Sequence, residues 1–201
     1  MTDRVASPLE VRALRYIREE IPDLEAHLLG TRDFALEINR NQSLGIDEEK
    51  VVLASLCHDL ARHVAPDEIA AALSQRGIDC DSPGFTSPIL LHGFLSAELA
   101  KEKIGVRDEE VLDAVRWHAT GRADMGLLER LLYVADKIED NRDWPGVDDL
   151  RRLVEEDFHS AFPRVVASVI SYVVAELWPL DYNSVAAYNR ALADASDDPG
   201  I

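Results

Sequence analysis

The stretch Leu53-Ala-Ser-Leu-Cys-His-Asp-Leu-Ala-Arg62 sets an ionisable pair, His58-Asp59, in the middle of an apolar run. Asp47 stands where it can cap a helix, and Val51, Val52, Leu53, Leu56 and Leu60 predict that this helix runs on through the pair. Burying an imidazole beside a carboxylate is costly unless something compensates them, and a metal ion is one such compensation. Adjacent helical residues point about 100° apart. A metal held by both must therefore sit near a helix end or be clasped by other segments. A lone His-Asp dipeptide is common, and taken by itself a structural role explains it more readily than a ligand pair.

Working outward, the chain reads as helices separated by short breaks. Ser7-Pro8 opens one to about Glu20, and Ile21-Pro22-Asp23 interrupts before a second from about Leu24 to Ser43. Pro66 starts a short helix ending near Gly77, followed by a loop of about ten residues rich in Gly, Asp, Ser and Pro. Ser87-Pro88 repeats the cap signal for a helix to Ile104, Asp108 opens another closed by Gly121, and Gly126 to about Glu139 carries a strong apolar stripe. After the turn at 141–146 come a polar helix, an apolar helix around Val165–Leu177 and a last one from Ser184. Nothing alternates long enough for a strand. The prediction is an all-α single domain over residues 1–201, with its core at about 8–194 and a short C-terminal tail.

The 201 residues carry 21 basic and 38 acidic side chains, a formal charge of −17 and a pI near 4.6. Such a surface repels a phosphate backbone, so a nucleic-acid partner is not expected. A small anionic substrate stays possible where a metal or a few placed cations reverse the field. Two cysteines, Cys57 and Cys80, suggest no disulfide framework. The N-terminus lacks an apolar signal region. The most apolar stretch, Val165 to Trp178, is too short and too polar for a bilayer. The expectation is a soluble, cytoplasmic protein without a membrane partner.

His27, His58-Asp59, His92, His118 and Asp136 fall on separate predicted helices, mostly among apolar neighbours. Imidazole and carboxylate donors together suit iron, manganese, cobalt or zinc. Gly93, beside His92, leaves room for a close neighbour. His63 reads as a helix-end histidine and His159 as a surface residue. Trp117 and Tyr133 read as core anchors, and the Val165–Val174 stripe as core, or as a dimer face if one side stays exposed. Glu139 is open between an adenine contact, a group behind the ligands and a solvated helix-end acid.

The order His…His-Asp…Asp resembles the HD-domain metal-dependent phosphohydrolases. Leu91-His-Gly93, His118-Ala-Thr-Gly121, Met125, and Ala135-Asp-Lys-Ile-Glu139 followed by Arg142 resemble, more narrowly, the bacterial symmetrical bis(5′-nucleosyl)-tetraphosphatases. The likeness runs from about Leu14 to Asn189. It implies an HD-domain helical bundle holding two divalent ions, typically iron: one on His27, His58, Asp59 and Asp136, the other on Asp59, His92 and His118. The implied reaction splits diadenosine tetraphosphate into two ADP through a hydroxide bridging the ions, with His58 and Asp59 at the catalytic centre. Two ions about 3.5–4 Å apart suit that chemistry. Arg62, Thr120, Lys137 and Arg142 are the candidate substrate contacts; Arg62 lies four residues after His58 and so on the same predicted helical face. Arg62 stands where the family usually has Lys, Asp140 where it has Pro and Ala119 where Thr is common. These departures bear on substrate choice, not on the ligand set. A nucleotidase acting on mono- or diphosphates, and a non-catalytic nucleotide-binding sensor, are the alternative readings, with a homodimer possible.

Overall fold

Helix α3 (Glu48–Cys57) buries every side chain from Val51 to Cys57, and the rest of the fold is arranged around it. The computed structural model describes residues 5–78 and 87–196. Cys80, the loop up to residue 86 and the tail at 197–201 lie outside the described residues. The fold is all-α: ten α-helices and no strand among the described residues.

Local signals set most helix starts. Ser7 Oγ accepts the Glu10 N–H at 3.2 Å to open α1 (Pro8–Glu20). Asp47 and Asp108 accept the N–H groups of Glu49 and Glu110 to open α3 and α6 (Glu109–Trp117). A 3₁₀ turn at Pro22–Leu24 leads into α2 (Glu25–Asn41), and Pro66 begins α4 (Pro66–Gln75). The single helix expected from Ser87 to Ile104 is three pieces: a 3₁₀ turn at Pro88–Leu91, α5 (His92–Leu99) and a π turn at Ala100–Ile104. Ser87 makes no side-chain capping bond there.

Helices α2, α3, α6 and α7 (Leu127–Ile138) pack against one another in the main core, with α5 laid on α6. A smaller cluster of Ala61, Ile69, Leu73, Leu91 and Leu95 sits beneath α4. Helices α8 (Val147–Glu156), α9 (Phe158–Ala175) and α10 (Tyr182–Ser196) pack in succession, with α9 also touching α7. With 18 residues and mean hydropathy 1.3, α9 is by length and composition long and apolar enough to cross a membrane. It starts at Phe158, seven residues before Val165, where the apolar stretch of the sequence begins, and so is longer than that stretch. Its first half is nevertheless core, burying Phe158, Ala161, Phe162, Val165 and Val166. Its last turns and the segment beyond expose Tyr172, Val174, Leu177, Trp178 and Tyr182.

Candidate metal centre

Helix α3 stops at Cys57, earlier than its apolar pattern implies, and His58 is its C-cap. Residues 58–63 continue in turns, with Leu60 and Ala61 buried. The His-Asp pair thus stands at a helix end, where both side chains can face one point. The same change of backbone removes the helical-face argument for Arg62, which is exposed on those turns; His63 is exposed beside it.

The histidines share a device. His58 Nδ1 donates to the Ser55 carbonyl at 2.8 Å, His92 Nδ1 to Ile89 at 2.6 Å and His118 Nδ1 to Val115 at 2.8 Å. Each acceptor is the carbonyl three residues back. A carbonyl only accepts, so each Nδ1 carries the proton and a neutral ring presents its Nε2 lone pair. His27, inside α2, instead sets Nδ1 3.1 Å from Glu139 Oε1.

Those Nε2 atoms converge. His27 and His58 are 3.2 Å apart at Nε2, and His92 and His118 are 3.0 Å apart. Asp59 lies between the two pairs and divides its oxygens. Oδ1 is 3.0 Å from His92 Nε2 and 3.4 Å from His118 Nε2. Oδ2 is 3.7 Å from His58 Nε2 and 3.9 Å from His27 Nε2. Asp136 Oδ1 completes the first group, 3.2 Å from His27 and 3.6 Å from His58. All six expected ligand residues therefore meet, in three overlapping groups (His27, His58 and Asp59; His58, His118 and Asp136; Asp59, His92 and His118) whose donor atoms lie within 4.8 Å of one another.

Apart from His27, which is partly exposed, they are buried. Burial opposes ionisation of Asp59, yet His58, His118 and His92 hold its carboxyl well below the usual range. Burial likewise opposes Asp136, which Lys137, His27 and His58 hold well below that range. Burial, opposed by the nearby Asp59 carboxylate and reinforced by His58 and His92, lowers His118 to about 4. For His58 burial is again the largest influence and favours the neutral ring, but Asp59 and Asp136 together raise it above its ordinary value. The carboxylates draw positive charge to this point. Facing imidazole lone pairs and a buried Asp59 Oδ1 without an aligned donor suit a divalent cation on each side of Asp59.

Two contacts hold the halves in register. Ser96 Oγ, on α5, accepts the Ala61 N–H at 3.0 Å. Gly93 lies directly on the α6 backbone: a Cβ there would be 2.5 Å from the Arg116 carbonyl oxygen and 2.9 Å from that of Val115.

The expected substrate contacts separate. Lys137 Nζ pairs with Asp136 Oδ2, and Arg142 Nη2 donates to Asp136 Oδ1 at 2.9 Å. Thr120 is buried and donates its hydroxyl to the Gly121 carbonyl at 2.9 Å, not toward the ligands. Glu139 is 1% exposed, which excludes the solvated helix-end acid. The sequence reading missed Arg151, whose guanidinium donates to the carbonyls of Ile138, Glu139 and Arg142 at 2.6–2.8 Å and holds the turn after α7. No local signal marks it, because α8 places it there. Trp117 packs edge-on against Phe94, His159 is exposed and Tyr133 is fully buried.

A helical fold with six His and Asp side chains gathered about one shared carboxylate defines a class of metal-dependent hydrolase. The HD domain family model matches residues 24–141, which contain all six. The chain belongs to the HD domain family. It is 30% identical to the symmetrical bis(5′-nucleosyl)-tetraphosphatase of Bacillus subtilis over 178 residues, covering 88% of this chain and 94% of that one. The protein of the same name from Halalkalibacterium halodurans is 29% identical over 91% of this chain and 97% of its own length. A crystal structure from Clostridium acetobutylicum, described as a predicted HD superfamily hydrolase involved in NAD metabolism, superimposes with a TM-score of 0.82 at 31% identity, covering 92% of this chain and 96% of that one.

Proposed function

We propose that this HD-domain phosphohydrolase, an enzyme of phosphoanhydride bonds, cleaves diadenosine tetraphosphate symmetrically into two ADP, the whole chain acting as one HD domain. The observation that carries the reading is the division of Asp59 between two ligand groups. His27, His58, Asp136 and Asp59 would hold one divalent ion, and His92, His118 and Asp59 the other. Iron is the metal of this reading, with manganese, cobalt and zinc as substitutes. When bound, such a pair supplies an activated water and positive charge for the phosphoryl oxygens.

The remaining residues bind and orient. Lys137 and Arg142, both on Asp136, hold the inner phosphates against the centre. Arg142 is the better oriented, since its Nε donates to the Asp136 carbonyl at 2.9 Å and leaves the fork fixed. Arg62, exposed just after Asp59, meets the outer phosphates. Thr120 reaches a phosphate only by exchanging its bond to Gly121. The leaving group is a stable phosphate anion, so no strong general acid is needed. The acidic chain acts in the cytoplasm, without a nucleic-acid or membrane partner. It forms a homodimer through the exposed apolar end of α9.

The test is an anaerobic assay of iron- or manganese-loaded protein on diadenosine tetraphosphate, with products separated by chromatography. ADP alone supports the proposal. ATP with AMP refutes symmetric cleavage. Turnover of mono- or diphosphates alone makes the protein a nucleotidase, and no turnover at stoichiometric metal makes it a sensor.

A further inference from the structure

We infer that Glu139 is a positioning residue that orients His27, and that it makes the ion on the His27 side the more tightly held of the two. The inference rests on the two-ion reading above and extends it to the inequality of the two positions.

Three of the four histidines fix their rings on a neutral carbonyl three residues back. His27 has no such acceptor, because it lies in the first turn of α2, where nearby carbonyls are taken up by the helix. Its acceptor comes from 112 residues away and is a carboxylate. Glu139 is itself held: Oε2 accepts the Asn141 backbone N–H at 2.7 Å and its side-chain amide at 2.8 Å, while Oε1 faces His27 Nδ1 at 3.1 Å and, more distantly, Arg142 Nε at 3.9 Å. Arg151 fixes the backbone carbonyl of the same residue at 2.8 Å. A carboxylate behind a histidine fixes the tautomer with Nε2 free and makes the ring a stronger donor than a carbonyl does.

Donor count points the same way. The His27 side offers His27, His58, Asp136 and one oxygen of Asp59, whereas the other offers His92, His118 and the other oxygen. The chain also keeps the space that Glu139 needs. Gly30, three residues after His27, has no side chain; a Cβ there would lie 2.6 Å from Glu139 Oε2 and 2.5 Å from Asn141 Nδ2.

The experiment titrates metal-free protein with manganese(II) and reads binding by electron paramagnetic resonance and by competition with a chelator, so turnover is not needed. Wild-type protein is expected to bind two ions unequally. Glu139→Gln keeps the shape and an acceptor but loses the charge; the tighter ion should weaken by about 10–100-fold while the weaker changes less than about twofold. Gly30→Ala, which displaces the carboxylate without removing it, should weaken the same ion, and it decides the matter should Glu139→Gln fail to fold. Two ions bound as in wild type by both variants would overturn the inference, as would equal weakening of both ions. Failure of wild-type protein to bind two ions would instead remove the reading beneath it.

Discussion

Replacing Gly93 by alanine puts a methyl group against the backbone of α6, where no side chain can yield. The new Cβ would start 2.5 Å from the Arg116 carbonyl oxygen, and ordinary contact begins at 3.4 Å. Helix α5 must therefore recede from α6 by about 0.9 Å, several times the ~0.2 Å tolerance of metal–ligand distances. His92 precedes Gly93 and moves with it, whereas His118 hangs from the Val115 carbonyl on the other side of the joint. Their 3.0 Å separation at Nε2 is thus the distance that the substitution opens. The expected result is loss of the ion held by His92, His118 and Asp59, retention of the other, and a stability cost of ~1–3 kcal/mol from overpacking. Metal analysis after gel filtration, with urea unfolding of the same samples, measures both quantities. Asp157→Ala, destabilised to a similar degree on the far side of the fold, should keep both ions and separates loss of geometry from loss of stability. A Gly93→Ala protein that binds two ions at wild-type affinity would refute the reasoning, because the joint would then not set the distance between the histidines.

Arg142→Ala removes a charge-assisted contact worth ~1.5–3 kcal/mol, so KM for the tetraphosphate should rise at least about tenfold with metal content retained. Unchanged KM and turnover would take Arg142 out of the substrate site. Asp157 caps α9, accepting from the N–H groups of His159 and Ser160 and from the Ser160 hydroxyl. Its replacement by alanine should cost about 1 kcal/mol in urea unfolding near neutral pH. The Ser160 bonds hold its carboxyl below the ordinary value, so between the two values the unfolded chain takes up a proton that the native one refuses. The capping contribution is complete above the unfolded value and fades as pH falls through the native one. A difference between wild type and Asp157→Ala that is no smaller at about pH 3 than at about pH 6 would contradict this. Burial pushes the Cys57 thiol up to about 12, so in a Cys80→Ser background it should resist a thiol reagent at about pH 8 until the chain unfolds. Rapid labelling of the native protein would show that the end of α3 opens.

What the sequence made legible was what is fixed within a few residues. The caps at Ser7, Asp47 and Asp108 are readable because donor and acceptor lie two or three positions apart. The apolar pattern around His58 reports burial faithfully, since Leu60 and Ala61 are buried, but burial continues after the helix has ended at Cys57. A helix drawn through the pattern therefore overshoots and carries Arg62 onto a face that does not exist. The six candidate ligand residues stand out because an ionisable side chain among apolar neighbours is costly, and that cost is visible locally. Their division into two groups about Asp59 is not, because it depends on how closely α5 and α6 approach, a distance set by Gly93 against a backbone more than twenty residues away. Glu139 and Arg151 are the clearest cases. In the sequence one is an acid at the end of a helix and the other an arginine in a polar one, while in the fold one holds His27 from 112 residues away and the other closes the turn that carries it. The candidate ligands are thus legible in local chemistry, whereas the geometry in which each is held is written in contacts between elements, and variants at Glu139 and Gly93 are expected to act on the second without touching the first.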